Sequence, residues 1–211
     1  MRKHLLKQLT LALLLTAAVP TLTAQVHVGD ILCEGNAIVS PANYPSSGAT
    51  AIGVVFYVDN TGQHGWAVAL QDAGDYIWGS YENDTPLPNY NNKRQAIYDL
   101  DGYHNTQVIR EYEEESQYSA FYAVDFDNGW YLPAIGQLNY LYGNLIEVNA
   151  SLQMVSGSAI GMYGDLWYWS STEYHSERAW NIHVSGELLD YIGWDEYNKG
   201  DSFRVRVARN F

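Results

Sequence analysis

The sequence has 211 residues, of which 47% are hydrophobic and 17% are charged, and 24 acidic residues against 11 Lys and Arg give a formal net charge of −13. This composition predicts a folded chain and excludes disorder, coiled coils and collagen. The shortage of basic side chains also makes nucleic acid and anionic membrane surfaces unsuitable partners, because both are bound through Lys and Arg.

Residues 1–24 have the pattern of a secretory signal. A basic end precedes an uncharged, mostly apolar run of eleven residues over 9–19, and Ala24 offers a cleavage site. Eleven helical residues cannot cross a bilayer, which needs about 20. We therefore predict cleavage near Ala24 and a secreted, periplasmic or cell-surface protein with no membrane-spanning segment.

The remaining chain is predicted to be an N-terminal segment with turns over 25–50, followed by a single domain over 51–211. Cys33 is the only cysteine, so no internal disulfide can form. A buried small apolar side chain is the favoured interpretation of Cys33. An intermolecular disulfide is the alternative.

Strand patterns come first along the chain. Residues 53–58 and 65–70 are rich in β-branched, aromatic and small apolar side chains, and they flank an Asp-Asn-Thr-Gly turn. This arrangement predicts a β-hairpin. Residues 76–78 are predicted to add a short strand. Residues 79–95, with two Pro and several Asn, are predicted to form an irregular loop.

Helical spacing is typical of the middle of the chain. A helix is predicted over 105–115, with Val, Ile and Tyr on its buried side, and a second short helix is predicted to begin at Ser116 or Ser119. Apolar residues at helical spacing after Pro133 predict a third helix that reaches Leu145. A further turn or two is predicted between 148 and 155.

The last third returns to strands. Residues 168–172, 179–184 and 203–208 are strand candidates, and the last two alternate apolar and polar side chains. This alternation predicts that Arg204 and Arg206 point outward. Because the chain has few cations, pairing of these arginines with buried carboxylates is the alternative. The order of hairpin, helices and strands predicts an α+β fold.

Several segments resemble a bacterial exported family named after the C-terminal domain of the Lcl adhesin. The most specific are Gly-Trp-Tyr-Leu-Pro at 129–133 and Tyr-Trp-Ser-Ser-Thr at 168–172, and weaker matches lie at 53–58, 101–106 and 204–209. The resemblance covers about residues 50–211. It implies a C-type-lectin-like fold, which is a small twisted antiparallel sheet flanked by helices, with long irregular loops.

Two activities of that fold class are disfavoured by the residues present. Formylglycine-generating enzymes depend on a pair of cysteines, and this chain has one. Calcium-dependent lectins use a Trp-Asn-Asp motif, whereas Trp180 and Asn181 are followed here by Ile182. The lectin-type calcium site is therefore predicted to be absent.

Motifs for metal or catalytic chemistry are weak. Carboxylates alternate at Asp99 and Asp101 and again at Asp125 and Asp127, but neither segment has the other ligands of a calcium loop, so structural turns are favoured and calcium is the weaker alternative. Neither a His-x-x-x-His pair nor a Gly-x-Ser-x-Gly elbow occurs. We predict no catalytic residues, no metal site and no cofactor.

The stretch from Glu173 to Asp201 mixes aromatic and polar side chains without a regular period, which predicts loops that present a ligand-binding face. Tyr and Trp offer flat contact area, whereas His, Arg and Asn offer directed hydrogen bonds. Packing over the sheet is the alternative role for about half of the aromatic rings. The leading ligand-binding candidates are Tyr174, His175, Arg178, Trp194, Tyr197 and Asn198.

The favoured function is an exported, non-enzymatic binding or adhesion domain that recognises a glycan or a protein at the cell surface. One alternative is an exported enzyme that acts on carbohydrate or cell wall through a pair of carboxylates. That chemistry depends on the distance between the two carboxylates in the folded protein. The other alternative is a structural subunit of a surface assembly.

Overall fold

The structure is a computed structural model, and it describes residues 25–112, 114–161, 166–185 and 191–211, with the backbone alone described at 184–185 and 191–194. Residues 1–24, predicted as a signal, lie outside the described residues. The described chain contains two sheets and several short helices, so the predicted α+β class is confirmed.

The first sheet has six strands in the order β2-β1-β3-β4-β11-β6, and all of its pairs are antiparallel. Its strands are β1 Ile31–Cys33, β2 Ile38–Val39, β3 Ala51–Val58, β4 Gly65–Ala69, β6 Trp130–Tyr131 and β11 Ala208–Asn210. The predicted hairpin is confirmed in β3 and β4. The segment 25–50 supplies two strands, and Cys33 is fully buried in β1, as its favoured interpretation predicts.

The second sheet has five strands in the order β5-β10-β7-β8-β9. Its strands are β5 Gly74–Ile77, β7 Leu166–His175, β8 Arg178–Ser185, β9 Tyr191–Asn198 and β10 Ser202–Val205. Strands β7 and β10 run parallel and share one register pair, whereas the other pairs are antiparallel. The long antiparallel strands β7, β8 and β9 form the larger part of this sheet.

In the described ranges, six short α-helices lie between the strands. They are α1 Tyr44–Ser47, α2 Lys93–Ala96, α3 Gly102–Tyr112, α4 Ser119–Tyr122, α5 Ile135–Gly143 and α6 Leu145–Met154. The predicted helices at 105–115 and after Pro133 correspond to α3 and α5. In the part of the chain that the structure describes, no helix is long and apolar enough to cross a membrane.

Two apolar clusters lie on opposite faces of the second sheet. The first joins the inner faces of α5 and α6 to the first sheet and to Tyr168, Trp180 and Ile182. The second joins Trp169 and Ala179 to α3 and α4. Because residues 168–173 of β7 and 179–182 of β8 alternate between these clusters, both faces of these strands are buried there.

Two predicted elements are wrong in detail. The predicted strand over 203–208 is two strands, because β10 pairs with β5 and β7 whereas β11 pairs with β4 and β6. Between them, the chain passes from one sheet to the other. The stretch between Ser185 and Asp201 is also not a run of loops, since 191–198 forms β9 along the edge of the second sheet.

Arg206 stabilises this crossing between the sheets. It is almost fully buried, and its Nη1 donates to Asp72 Oδ1 at 2.9 Å and to Ser158 Oγ at 3.0 Å. Its other donors bind the carbonyls of Ala69, Leu70 and Ser158 at 2.9 to 3.0 Å. The outward position predicted for Arg206 is therefore wrong, and the alternative of pairing with a carboxylate is confirmed.

Candidate functional site

Strand pairing places three of the predicted ligand-binding residues in one row. His175 ends β7, Arg178 begins β8 and Asn198 ends β9, and the register pairs His175 with Arg178 and Arg178 with Asn198. Tyr197 is the next residue on β9, opposite Ala179. These residues stand on strands, so the prediction that loops would present them is wrong.

A polar groove of about 470 Å³ follows the outer edge of β9. It takes side chains from both faces of that strand, together with the β7–β8 turn and the loop after β5. The lining residues are Tyr81, Glu177, Arg178, Asp195, Glu196, Tyr197, Asn198 and Asp201. Its volume lies within the range of about 300–1,000 Å³ that is typical of small-molecule sites.

The groove is negatively charged. Glu177, Asp195, Glu196 and Asp201 stand against the single cation Arg178, whose Nη1 is 3.7 Å from Glu196 Oε1. The nearby Glu177 carboxylate raises the pKa of the exposed Tyr81 hydroxyl. Such a groove favours neutral polar or cationic groups and repels anions.

Two predicted candidates, Tyr174 and His175, do not line the groove, and a third is described in its backbone alone. The Tyr174 ring packs against Trp180, with ring centroids 5.3 Å apart. His175 Nδ1 accepts a hydrogen bond of 3.1 Å from the backbone N–H of Glu177, so this histidine shapes the β7–β8 turn. Trp194 lies on β9 opposite Ile182, four positions from Asn198, and its side chain lies outside the described residues.

Tyr197 has two environments. It lines the groove, and its half-buried ring also contacts Trp167 and Phe203, with centroids 4.6 and 5.3 Å apart. Trp167 in turn stacks on His183 at 3.9 Å. Because this aromatic cluster packs over the second sheet, truncation of Tyr197 removes packing as well as groove surface.

A buried ion pair lies next to the groove in the chain, since Lys199 follows the lining residue Asn198. The side chains of Glu173 on β7 and Lys199 after β9 are fully buried, and Lys199 Nζ donates to Glu173 Oε1. Lys199 Nζ also donates to the Asn83 carbonyl at 2.8 Å, and Thr85 Oγ1 donates to Glu173 Oε2 at 2.5 Å. Through Asn83 and Thr85, the pair therefore anchors the loop after β5, which carries Tyr81, to the second sheet.

A second buried carboxylate organises the junction of α3, α5 and β7. Asp99 Oδ2 accepts hydrogen bonds from Thr172 Oγ1 at 2.7 Å and from Asn105 Nδ2 at 2.9 Å. Burial raises the pKa of Asp99, because the surrounding protein solvates the charged form poorly. This structural network accounts for the alternating carboxylates at 99 and 101.

The other acidic segment also forms a turn. Asp125 Oδ2 accepts from Asn128 Nδ2 at 2.8 Å, within a short 3-10 turn over 126–128. Across the described ranges, no group of three or more His, Cys, Asp or Glu side chains is arranged to bind a metal ion.

Sequence reasoning missed Tyr81, Glu177, Asp195, Glu196 and Asp201 as groove residues. Four of them are acidic residues spread over 177–201, which resemble ordinary solvated charges in the sequence. Only the pairing of β9 with β8 gathers them along one edge. For the buried pair, the available signal was Glu173, a charge placed inside a strongly apolar and aromatic strand.

Comparison with known proteins gives a likeness in structure and none in sequence. No protein-family model matches the chain, and no curated protein sequence matches it. Among solved structures, a fimbrial protein from Bacteroides ovatus is similar, with 17% sequence identity and a TM-score of 0.59 over 88% of this chain and 49% of that one. The chain thus spans about half the length of that protein, and at this identity the likeness shows a shared fold.

Proposed function

We propose that this chain is a non-enzymatic subunit of an exported cell-surface assembly. The proposal rests on one observation, the fold that 88% of the chain shares with a protein described as fimbrial. The exported location follows from the signal pattern in residues 1–24. We also propose that the chain has a C-type-lectin-like fold and is related to the Lcl C-terminal domain family. The first and last described strands lie in one sheet, which supports this proposal.

The described carboxylates support a binding role over catalysis. General acid or base chemistry needs a carboxyl group that is both shifted in pKa and accessible to substrate. Asp99 and Glu173 have raised pKa values, but both are buried and neither lines the groove. The groove carboxylates lie on an open sheet edge, where they suit contact with a partner.

The groove beside β9 is the proposed contact surface. Its charge favours a partner with Lys or Arg side chains, and Tyr81 supplies an exposed ring, 50% accessible, over which a cation can lie. A neutral or amino sugar is the second candidate ligand, because Tyr81 and Tyr197 offer stacking faces beside the Asn198 amide and several carboxylates. Anionic glycans are disfavoured by the same charges.

The full chain, expressed in its own bacterium, tests the proposal. We expect shearing of the cells to release it together with surface appendages, and we expect an added chemical crosslinker to join it to other subunits. Charge reversal of the groove by Glu196→Lys should reduce this co-isolation, whereas Glu111→Lys, an exposed change on α3, should not. Recovery of the protein only as a free monomer would contradict the assembly role, and a glycan array with Tyr81→Ala as control then tests the sugar alternative.

A further inference from the structure

The Glu173–Lys199 pair has an unusual environment for two opposite charges. Both side chains are fully buried, and each is bounded by fixed groups on its other side. Lys199 Nζ donates to the Asn83 carbonyl at 2.8 Å and lies 4.8 Å from the centroid of the Trp78 ring. Water is therefore excluded from the point where the amine nitrogen meets the carboxyl group.

Burial also shifts both groups toward their neutral forms. Desolvation raises the pKa of Glu173 and lowers the pKa of Lys199, although each partner opposes the shift of the other. A proton transfer from the ammonium to the carboxylate yields a neutral amine beside a neutral carboxylic acid. The neutral amine has a free lone pair and is a nucleophile.

We propose that Lys199 and Glu173 condense into an intramolecular amide that crosslinks the chain. In this step Nζ attacks the Glu173 Cδ, and a new Nζ–Cδ bond forms as one Cδ–O bond breaks. The departing oxygen leaves as water with the carboxyl proton and one proton of the amine, and the other oxygen becomes the amide oxygen. The reaction needs no oxidant, reductant or cofactor.

Thr85 is placed to assist this step. Its hydroxyl donates to Glu173 Oε2 at 2.5 Å, and its backbone N–H donates to Oε1 at 3.3 Å. Donors fixed at both carboxyl oxygens stabilise the negative charge that develops on oxygen when the amine attacks. After the reaction, the amide oxygen retains Thr85 as a donor, and the amide N–H retains the Asn83 carbonyl as its acceptor.

The amide product also avoids the unfavourable desolvation of two buried charges. A buried ion pair loses the hydration of both charges, and the attraction within the pair offsets that loss incompletely. A neutral amide with both hydrogen bonds satisfied lacks this cost. The crosslink closes a ring over 173–199 that contains β8 and β9, so those strands cannot be pulled from the sheet.

Mass spectrometry of the purified, folded full chain tests the crosslink, independently of what the domain binds. We expect the denatured protein to be lighter than its mature sequence by the mass of one water. A tryptic digest should give a branched product that joins the peptide containing Glu173 to the one containing Lys199. Cleavage should fail after Lys199 and should proceed after the exposed Lys93, which serves as the internal control.

An unmodified mass together with a linear peptide that ends at Lys199 would overturn the proposal. Lys199→Arg retains the positive charge but cannot form this amide, so the variant should have its unmodified mass. Persistence of the water loss in Lys199→Arg would place the loss elsewhere and would also overturn the proposal. If this variant does not fold, the tryptic map of the unaltered chain still decides between the two outcomes.

Discussion

Arg206 and Arg204 allow a direct test of the crossing between the two sheets. They are two residues apart, and both contact Asp72, but they differ in burial. The Arg206 side chain is 1% exposed and its guanidinium makes five hydrogen bonds, whereas the Arg204 side chain is 40% exposed. Replacement of each arginine by Met keeps a long side chain and removes the charge.

The expected magnitudes follow from these environments. Arg206→Met removes the donor from Asp72 Oδ1 and from the carbonyls of Ala69, Leu70 and Ser158, although Arg204 still donates to Asp72 Oδ2. Loss of the buried partner of such a pair costs about 3–5 kcal/mol. For a domain of this size each kcal/mol lowers the melting temperature by about 2–4 °C, so we expect a fall of about 6–20 °C. Arg204→Met breaks an exposed pair, which contributes about 0–1 kcal/mol.

Urea unfolding followed by tryptophan fluorescence measures both variants, because the rings of Trp169 and Trp180 are buried in the second sheet. We expect the midpoint to fall for Arg206→Met with an unchanged slope, and to stay near that of the unaltered protein for Arg204→Met. Equal losses in the two variants would refute the argument, since burial would then not determine the contribution of each arginine.

Two further predictions concern single residues. The pKa of Asp99 is raised on folding, so its contribution to the free energy of unfolding is fully present below the ordinary aspartate pKa and is lost as pH rises through the raised value. The stability of the unaltered protein relative to Asp99→Asn should therefore fall across that interval, and a difference independent of pH would contradict this. Gly65→Ala should destabilise the protein by about 1 kcal/mol or more, because the new Cβ would lie 2.0 Å from the Tyr57 carbonyl oxygen and the β3–β4 backbone would have to move. An unchanged midpoint of urea unfolding would contradict this prediction.

The sequence predicted those elements whose signals are local. The β3–β4 hairpin is specified by its own turn, where Asp59 Oδ1 accepts from the backbone N–H groups of Thr61 and Gly62 at 3.0 and 3.1 Å. The helix α5 follows from the spacing of apolar residues such as Leu138 and Leu141, which are buried. These patterns need no information about distant parts of the chain.

The missed features depend on distant partners. The β9 segment has no clean alternation, and it becomes a strand because eight register pairs join it to β8. The alternation over 203–208 continues through Val205 to Val207, so the sequence gives no sign that the two halves enter different sheets. The groove depends on the pairing of β9 with β8, and for this reason its acidic lining was not predictable.

The crossing at 205–208 has a consequence for the order in which the molecule can fold. Strand β10 lies between β5 and β7, and β11 lies between β4 and β6, so residues 202–210 occupy interior positions in both sheets. Neither sheet can be completed until these few residues have left the ribosome. Residues 31–201 can therefore form hairpins and helices as they are synthesised, but neither sheet is completed before residues 202–210 follow.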